Sequence, residues 1–243
     1  MTEPSISTSA TPRREFLGQL ATVAAAFAAT ACASGGLGAA AASAAPAEAG
    51  PKLAPVPTLP PLQFDDSWTT RLTGRYRAVF DSPEIDDGTA VFNAYVYMQG
   101  FKDMYTLQDA DVSAVIVMRH MAIPMALDDE FWAAYALGEY AKVKEQGSER
   151  WATRNPFWKA SPKDPQDAAY TLDALQQRGT VLLGCSLAAR GMASILAKRT
   201  NQKPDAVFDE LRQHLIPGLE LAPSGIFAVM RAQEAGCKYM RST

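Results

Sequence analysis

The alternation of short apolar runs with helix-like segments, between about residue 75 and residue 240, is the feature that most constrains the fold. Short β-branched runs predict strands, the clearest being 112–118, and apolar residues three or four apart predict helices. The predicted order is β-α-β-α-α-β-α-α-β-α-β. Strands that alternate with helices form mostly parallel sheets with helices on both faces. We therefore predict an α/β fold: a three-layer sandwich with a mostly parallel sheet of about five strands.

The boundaries of these elements follow from the same patterns. The predicted strands are 75–81, 112–118, 180–184, 218–222 and 237–240. The predicted helices are 88–105, 128–135, 168–178, 186–199, 204–215 and 225–235. Residues 144–165 show little periodicity, which predicts a loop or flap.

The N-terminus contains an export pattern. Residues 12–18 read Pro-Arg-Arg-Glu-Phe-Leu-Gly, and the pair Arg13-Arg14 before Glu-Phe-Leu matches a twin-arginine signal. The apolar stretch 16–31 is too short and too weakly hydrophobic to predict a membrane span, and Ala42-Ser43-Ala44 offers a small-residue cleavage site. We therefore predict a twin-arginine signal peptide over residues 1–45 and a periplasmic location.

Two other interpretations of this region stay open. The segment 29–32, Ala-Thr-Ala-Cys, resembles a lipoprotein box, so the protein would contact the membrane only if Cys32 is lipidated. An alanine-rich cytoplasmic helix would leave the arginine pair unexplained and would break at Gly35-Gly36. Residues 46–66 are rich in proline and predict an extended linker, so the folded domain is expected over 67–243.

Charge and motifs exclude several classes of function. The first 50 residues hold two arginines and three glutamates, a sum of −1, which leaves −2 of the chain's −3 for the rest. So small a charge argues against binding to nucleic acid. The sequence has no G-x-G-x-x-G after its first strand, no P-loop and no G-x-S-x-G. It also lacks Cys-x-x-Cys and a histidine cluster, so we predict no cofactor and no metal.

Candidate chemistry lies where predicted strands end, because ligands of parallel sheets bind outside the carboxyl ends of the strands. Cys185 follows one strand and begins a helix. The positive end of a helix dipole and free backbone N–H groups stabilise a thiolate, which can attack disulfides or carry a persulfide. The alternative is a buried structural cysteine that behaves as a small apolar residue.

Arg119 and His120 follow another strand. His120 suits a general base or a thiolate partner, and the alternative is a histidine hydrogen-bonded within a loop. Arg119 suits an anion site, and the alternative is an ion pair with a local acid. Cys237 is a further thiol, and a disulfide between it and Cys185 would remove a carrier function.

Three segments resemble the DsrE/DsrF/TusD-like (DsrE-like) superfamily. Residues 183–191, Leu-Gly-Cys-Ser-Leu-Ala-Ala-Arg-Gly, are similar to its sulfur-accepting segment. Residues 222–239 are similar to its closing pattern, a Pro-Ser-Gly turn before a helix with Gln that ends near Gly and Tyr. Residues 117–135 also resemble exported members. The resemblance implies a DsrE-like sandwich over about residues 73–240, commonly a homotrimer or hexamer.

The resemblance also implies sulfur transfer where the cysteine is functional. We therefore expect an exported sulfur-handling or thiol carrier protein, with Cys185 as the persulfide-bearing residue and Arg119 and His120 beside it. Its partners would be a sulfur donor or acceptor protein and other copies of itself. A non-catalytic module of the same fold, one that binds a small ligand or builds an oligomer, is the alternative. Whether the protein is an enzyme stays open.

Overall fold

The computed structural model describes residues 60–160 and 165–243, so the predicted signal peptide and most of the predicted linker lie outside the described residues. The strands are β1 (Tyr76–Ser82), β2 (Val112–Met118), β3 (Val181–Cys185), β4 (Glu220–Ala222) and β5 (Lys238–Arg241). The α-helices are α1 (Thr89–Tyr105), α2 (Asp129–Ala134), α3 (Leu137–Ala141), α4 (Leu172–Gln177), α5 (Ser186–Thr200), α6 (Pro204–Gln213) and α7 (Gly225–Glu234).

The five strands form one sheet in the order β4-β3-β2-β1-β5, and every neighbouring pair is parallel. The predicted α/β sandwich is therefore confirmed, with a sheet that is parallel throughout. The register aligns the carboxyl ends of the three central strands: Ser82 pairs with Met118, and Met118 pairs with Gly184. Whatever follows β1, β2 and β3 thus emerges at one edge of the sheet.

The central strands are buried on both faces, as their continuous apolar runs require. Alternate side chains enter two separate cores, because successive residues of a strand point to opposite faces. The first core receives Phe80, Ile116 and Leu182 and packs against α1, α5 and α6. The second core receives Val79, Val115 and Leu183. We call the sheet face toward this second core the α7 face, since α7 contributes most of its helical side chains.

The segment before β1 completes the α7 face and protects one edge of the sheet. Trp68 and Leu72 are each 2 % exposed and belong to the second core. Arg71 forms an ion pair with Glu220 of the edge strand β4. The opposite edge strand, β5, is exposed along its whole length. The two edges therefore differ: β4 lies beside the preceding segment and β5 is open.

The described end of the predicted linker contacts the domain. Arg231 of α7 donates hydrogen bonds to Asp66 at 2.8 and 3.1 Å, and Arg212 of α6 donates one to the backbone oxygen of Pro60 at 3.0 Å. Residues 60–66 therefore follow the surface of the folded unit. The boundary at residue 66 stays a prediction.

Several short elements depart from the sequence-based expectations. A 3-10 helix over His120–Ala126 and the helix α3 occupy stretches for which no element is predicted. The single helix predicted over 168–178 is divided into a 3-10 helix, Pro165–Tyr170, and α4. The division falls at Thr171, whose backbone is extended and whose hydroxyl donates to Asp173. The same hydroxyl also lies 3.2 Å from the backbone oxygen of Ala168, and a side-chain bond to the backbone competes with a continuous helix.

Candidate functional site

Cys185 joins β3 to α5. Its backbone is extended, and the residue caps the helix: the Sγ atom accepts a hydrogen bond from the backbone N–H of Ala188 at 3.4 Å. The residue as a whole is 6 % exposed. The first turn of a helix has backbone N–H groups without helical partners and a partial positive charge. The sulfur therefore lies where a thiolate gains both a hydrogen bond and a favourable field.

Arg119 follows β2 at the same edge of the sheet. Its Nε and Nη2 atoms donate to the two carboxylate oxygens of Asp81, at 2.7 and 2.9 Å. This hydrogen-bonded pair raises the pKa of Arg119, and smaller electrostatic contributions come from Tyr239 and Cys185. The guanidinium is thus held in place by Asp81 and is close enough to Cys185 to interact with it electrostatically. The structure brings these two predicted residues into one region.

Two further residues fix the position of this ion pair. Tyr239 of β5 donates its hydroxyl hydrogen to Asp81 at 3.0 Å, and burial followed by this bond raises the pKa of Tyr239. Gly225 begins α7, and a Cβ atom there would lie 2.5 Å from the Cβ of Arg119. Only glycine permits so close an approach, so the N-terminus of α7 packs directly on the arginine.

A cavity of about 290 Å³ lies between α7 and β5 beside this pair. We call it the α7 cleft. The residues that line it are Asp81, Arg119, Ile226, Val229, Met230, Gln233 and Tyr239. Arg119 is therefore the predicted site residue that faces this cleft, whereas Cys185 and His120 are not part of its lining.

His120 occupies a different setting. Its backbone has a φ of 50°, a left-handed conformation that is uncommon for residues other than glycine. The ring Nδ1 lies 3.0 Å from Oε1 of Glu84, and the side chain is 59 % exposed. The hydrogen-bond partner of the imidazole is thus an acid in the loop after β1. This geometry matches the alternative interpretation of His120, a histidine that is hydrogen-bonded within a loop. Its partner is the side chain of Glu84 and not the backbone.

The two described cysteines lie at opposite ends of the sheet, and both are free thiols. Cys237 lies one residue before Lys238, which pairs with Ala78 near the start of β1. Cys185 lies one residue after Gly184, which aligns through β2 with Ser82 at the end of β1. Their levels differ by six residues, about 20 Å along the strands. A disulfide needs Cα atoms about 4.4–6.8 Å apart. The folded domain therefore cannot form the Cys185–Cys237 bridge.

Cys237 is enclosed by apolar groups of the α7 face and is 5 % exposed. Burial raises the pKa of its thiol to about 11, although the charge of Arg77 acts in the opposite direction. A thiol with so high a pKa is almost entirely protonated at neutral pH and is a poor nucleophile.

Other kinds of site are not found in the described parts of the chain. No three His, Cys, Asp or Glu side chains within residues 60–160 and 165–243 are grouped so that they could hold a metal ion. Over the same ranges, none of the helices has both the length and the apolar character needed to cross a membrane.

Comparisons with known proteins add little. No protein-family model matches the chain, and no curated protein matches it. Among solved structures the chain is similar to protein of unknown function MTH1491 from Methanobacterium thermoautotrophicum. The sequence identity is 16 % and the TM-score is 0.35, over 68 % of this chain and 98 % of the other. A likeness at that level supports no argument about function.

Sequence reasoning missed Asp81, Tyr239 and Gly225. A signal for Asp81 was present, because it is a carboxylate in the last two residues of an apolar strand, at the edge where Arg119 also emerges. Tyr239 had no such signal. Its contact with Asp81 exists because β5 pairs with β1, and this pairing joins the last strand in sequence to the first.

Proposed function

We propose that the protein is an exported sulfur-handling or thiol carrier protein in which Cys185 bears the persulfide. The observation on which this depends is the setting of the sulfur atom, which accepts the Ala188 N–H at the start of α5 and lies within electrostatic range of Arg119. Both features place groups that attract negative charge next to the sulfur, and the reactive form of a cysteine is the thiolate. The resemblance of residues 183–191 to the sulfur-accepting segment of the DsrE-like superfamily supports the same proposal.

The transfer step needs no external oxidant. The Cys185 thiolate attacks the terminal sulfur of a donor persulfide, R–S–SH. A new S–S bond forms on Cys185 while the donor's S–S bond breaks, and the donor leaves as the thiolate R–S⁻. The products are the Cys185 persulfide and one thiolate, so atoms, charge and electrons balance. The reverse attack by an acceptor thiolate passes the sulfur on.

The low exposure of Cys185 restricts the donor. Only 6 % of the residue is exposed, so little room is left for a donor to approach the sulfur. Small donors therefore have an advantage over bulky ones. Arg119 supplies positive charge near the persulfide, and the role predicted for His120 beside the sulfur stays a prediction. The homotrimer or hexamer that the resemblance implies also stays a prediction.

Mass spectrometry tests the carrier step. The protein is incubated with a small sulfane donor, and the intact mass is compared among the wild type, Cys185→Ser and Cys237→Ser. We expect an added mass of one sulfur atom on the wild type and on Cys237→Ser, and none on Cys185→Ser. The matched Cys237 variant controls for loss of a thiol as such. A wild-type protein without the adduct, or an adduct that survives in Cys185→Ser, would refute the proposal.

Export is tested separately. Replacing Arg13 and Arg14 by lysine keeps the charge of the predicted signal and removes its twin-arginine pattern. We expect the double variant to stay in the cytoplasm while the unchanged chain is recovered from the periplasm. Equal distribution of both proteins between the two compartments would contradict the twin-arginine route.

A further inference from the structure

The α7 cleft contains an apolar wall that the carrier proposal does not use. Ile226 and Met230 lie one turn apart on α7, and they are 61 % and 54 % exposed. Val229, between them, is buried at the base of the same wall. Large apolar side chains that remain in water around one cavity mark a contact or ligand site. Across the cavity stands Tyr239 of β5, itself 48 % exposed.

The floor of the cleft has more spare hydrogen-bond donors than spare acceptors. Asp81 accepts two bonds from Arg119 and one from Tyr239. Arg119 uses Nε and Nη2 for that pair, and its Nη1 has no hydrogen-bond partner among the residues that the structure describes. A guanidinium offers five N–H donors, so two remain at Nη1.

The charged groups at the floor are one neutral ion pair and one helix N-terminus. The charges of Asp81 and Arg119 cancel to first order. The N-terminus of α7 packs on Arg119 through Gly225 and adds the partial positive charge of a ten-residue helix. A head group that accepts hydrogen bonds and carries negative charge is therefore favoured there over a cation.

We infer that the α7 cleft binds a small amphipathic acid, a carboxylate or sulfonate with an apolar body. The acid group accepts hydrogen bonds from Nη1 of Arg119, and the apolar body lies against Ile226, Val229 and Met230. A cavity of about 290 Å³ is close to the lower end of the volumes of small-molecule sites. Cys185 is not part of the lining, so this site does not depend on the carrier function.

Octanoate matches this description and serves as the probe, with octylammonium and octanol as controls for charge. Titration calorimetry of the full chain should show saturable binding of one octanoate per chain. Octylammonium and octanol should bind at least about tenfold more weakly, because octylammonium has no acceptor for the guanidinium and octanol has an acceptor but no negative charge. Absence of saturable octanoate binding, or equal binding of octylammonium, overturns the inference.

Variants locate the site. Met230→Asp places a negative charge, of the same sign as the charge of octanoate, in the apolar wall. This variant should weaken octanoate binding by about tenfold or more, whereas Met230→Leu should retain the binding. Met104→Asp is the matched control, since Met104 is 75 % exposed on α1, outside the cleft. Both aspartates lie at exposed positions, so folding is preserved. Equal weakening by Met104→Asp and Met230→Asp would show nonspecific binding and overturn the assignment.

Two further variants separate this inference from the carrier proposal. Arg119→Gln should lose octanoate binding, because it removes the donor for the acid group. Cys185→Ser should bind octanoate as the wild type does, while losing the sulfur adduct. Octanoate binding that disappears with Cys185→Ser would place the ligand elsewhere and contradict the inference.

Discussion

The two ends of the sheet present the same residue type in opposite surroundings. Cys185 and Cys237 are buried to almost the same degree, 6 % and 5 % exposed. Cys185 begins α5, so its sulfur meets an N–H group and the positive end of a helix. Cys237 follows the end of α7, and its own backbone N–H donates to Ala232 at 3.0 Å to close that helix. Its sulfur therefore lies at the negative end of a helix dipole.

Burial alone therefore does not decide whether a cysteine is reactive. What differs is the direction of the adjacent helix, since each thiol has an arginine nearby, Arg119 for Cys185 and Arg77 for Cys237. In a parallel sheet every strand has the same direction, so helix N-termini collect at the carboxyl edge and helix C-termini at the other. The carboxyl edge holds Asp81, Arg119 and the α7 cleft in addition to Cys185. Chemistry that needs an anion belongs at this edge.

The largest expected effect concerns the ion pair at the carboxyl edge. Asp81→Asn removes the partner of Arg119, and breaking a buried pair costs about 3–5 kcal/mol of unfolding free energy. The Asp81 side chain is 4 % exposed and that of Arg119 is 24 % exposed. Urea unfolding measures the change. The control is Asp66→Asn, which breaks an exposed pair with Arg231 and should cost about 0–1 kcal/mol. An equal loss of unfolding free energy in the two variants would mean that the Asp81–Arg119 pair stabilises the fold no more than an exposed ion pair does.

The next effect is the difference in reactivity between the two thiols. With a pKa of about 11, Cys237 has only about one thiolate in 10⁴ molecules at neutral pH. We expect iodoacetamide to modify Cys185 at least about a hundredfold faster than Cys237. The rates are read by mass spectrometry on the two single Cys→Ser variants. Similar rates in the folded protein would remove the contrast between the two ends of the sheet.

A third effect is a pH dependence that belongs to Cys237. Its pKa in the folded state is about 11, above the ordinary value of 9.0, so the folded state keeps a proton that the unfolded state loses. Its stabilising contribution is therefore complete below about pH 9 and declines as the pH rises toward 11, by about 3 kcal/mol in all. The difference in unfolding free energy between the wild type and Cys237→Ala should fall over this range. A difference that stays constant would argue against the raised pKa.

The smallest expected effect comes from removing, one at a time, the arginine that lies near each thiol. Arg119→Gln also breaks the pair with Asp81, so the rates are compared under conditions in which urea titration shows the variant to be folded. There it should slow alkylation of Cys185 by about three- to tenfold and leave Cys237 unchanged, because charge interactions weaken with distance. Arg77→Gln should do the reverse, since Arg77 lowers the pKa of Cys237. Each variant is thus the control for the other. If both thiols respond to both variants, the two ends are not electrostatically separate.

Much of the scaffold could be predicted from local patterns. The β-branched run of β2 and the helical spacing of α1 are repeated signals over many residues, and both elements occur where predicted. The serine cap and the terminal glycine of α7 were also readable: Ser224 accepts the N–H of Phe227, and Gly236 has a φ of 91°. The division of the helix at Thr171 could not be predicted, because the apolar spacing continues through a residue whose backbone is extended and whose hydroxyl donates to Asp173.

The candidate site was predictable only in part. Arg119 and Cys185 could be nominated because each follows a strand of a parallel sheet, and such positions share one edge. The same reasoning nominated His120, but its imidazole is turned toward Glu84. The side-chain direction of a residue just beyond a strand depends on the loop that it enters. No periodic pattern encodes that direction.

By itself, the sequence determined the class of fold, because the spacing of apolar residues decides which segments bury a face and which alternate as strands. Only the tertiary structure decided that Asp81, Arg119, Tyr239 and Gly225 meet, and that the two cysteines lie too far apart to form a bond. The physical reason is that these contacts depend on strand order. The pairing of β5 with β1 brings Tyr239 to Asp81, 158 positions away in the chain, and no interaction between sequence neighbours specifies that contact.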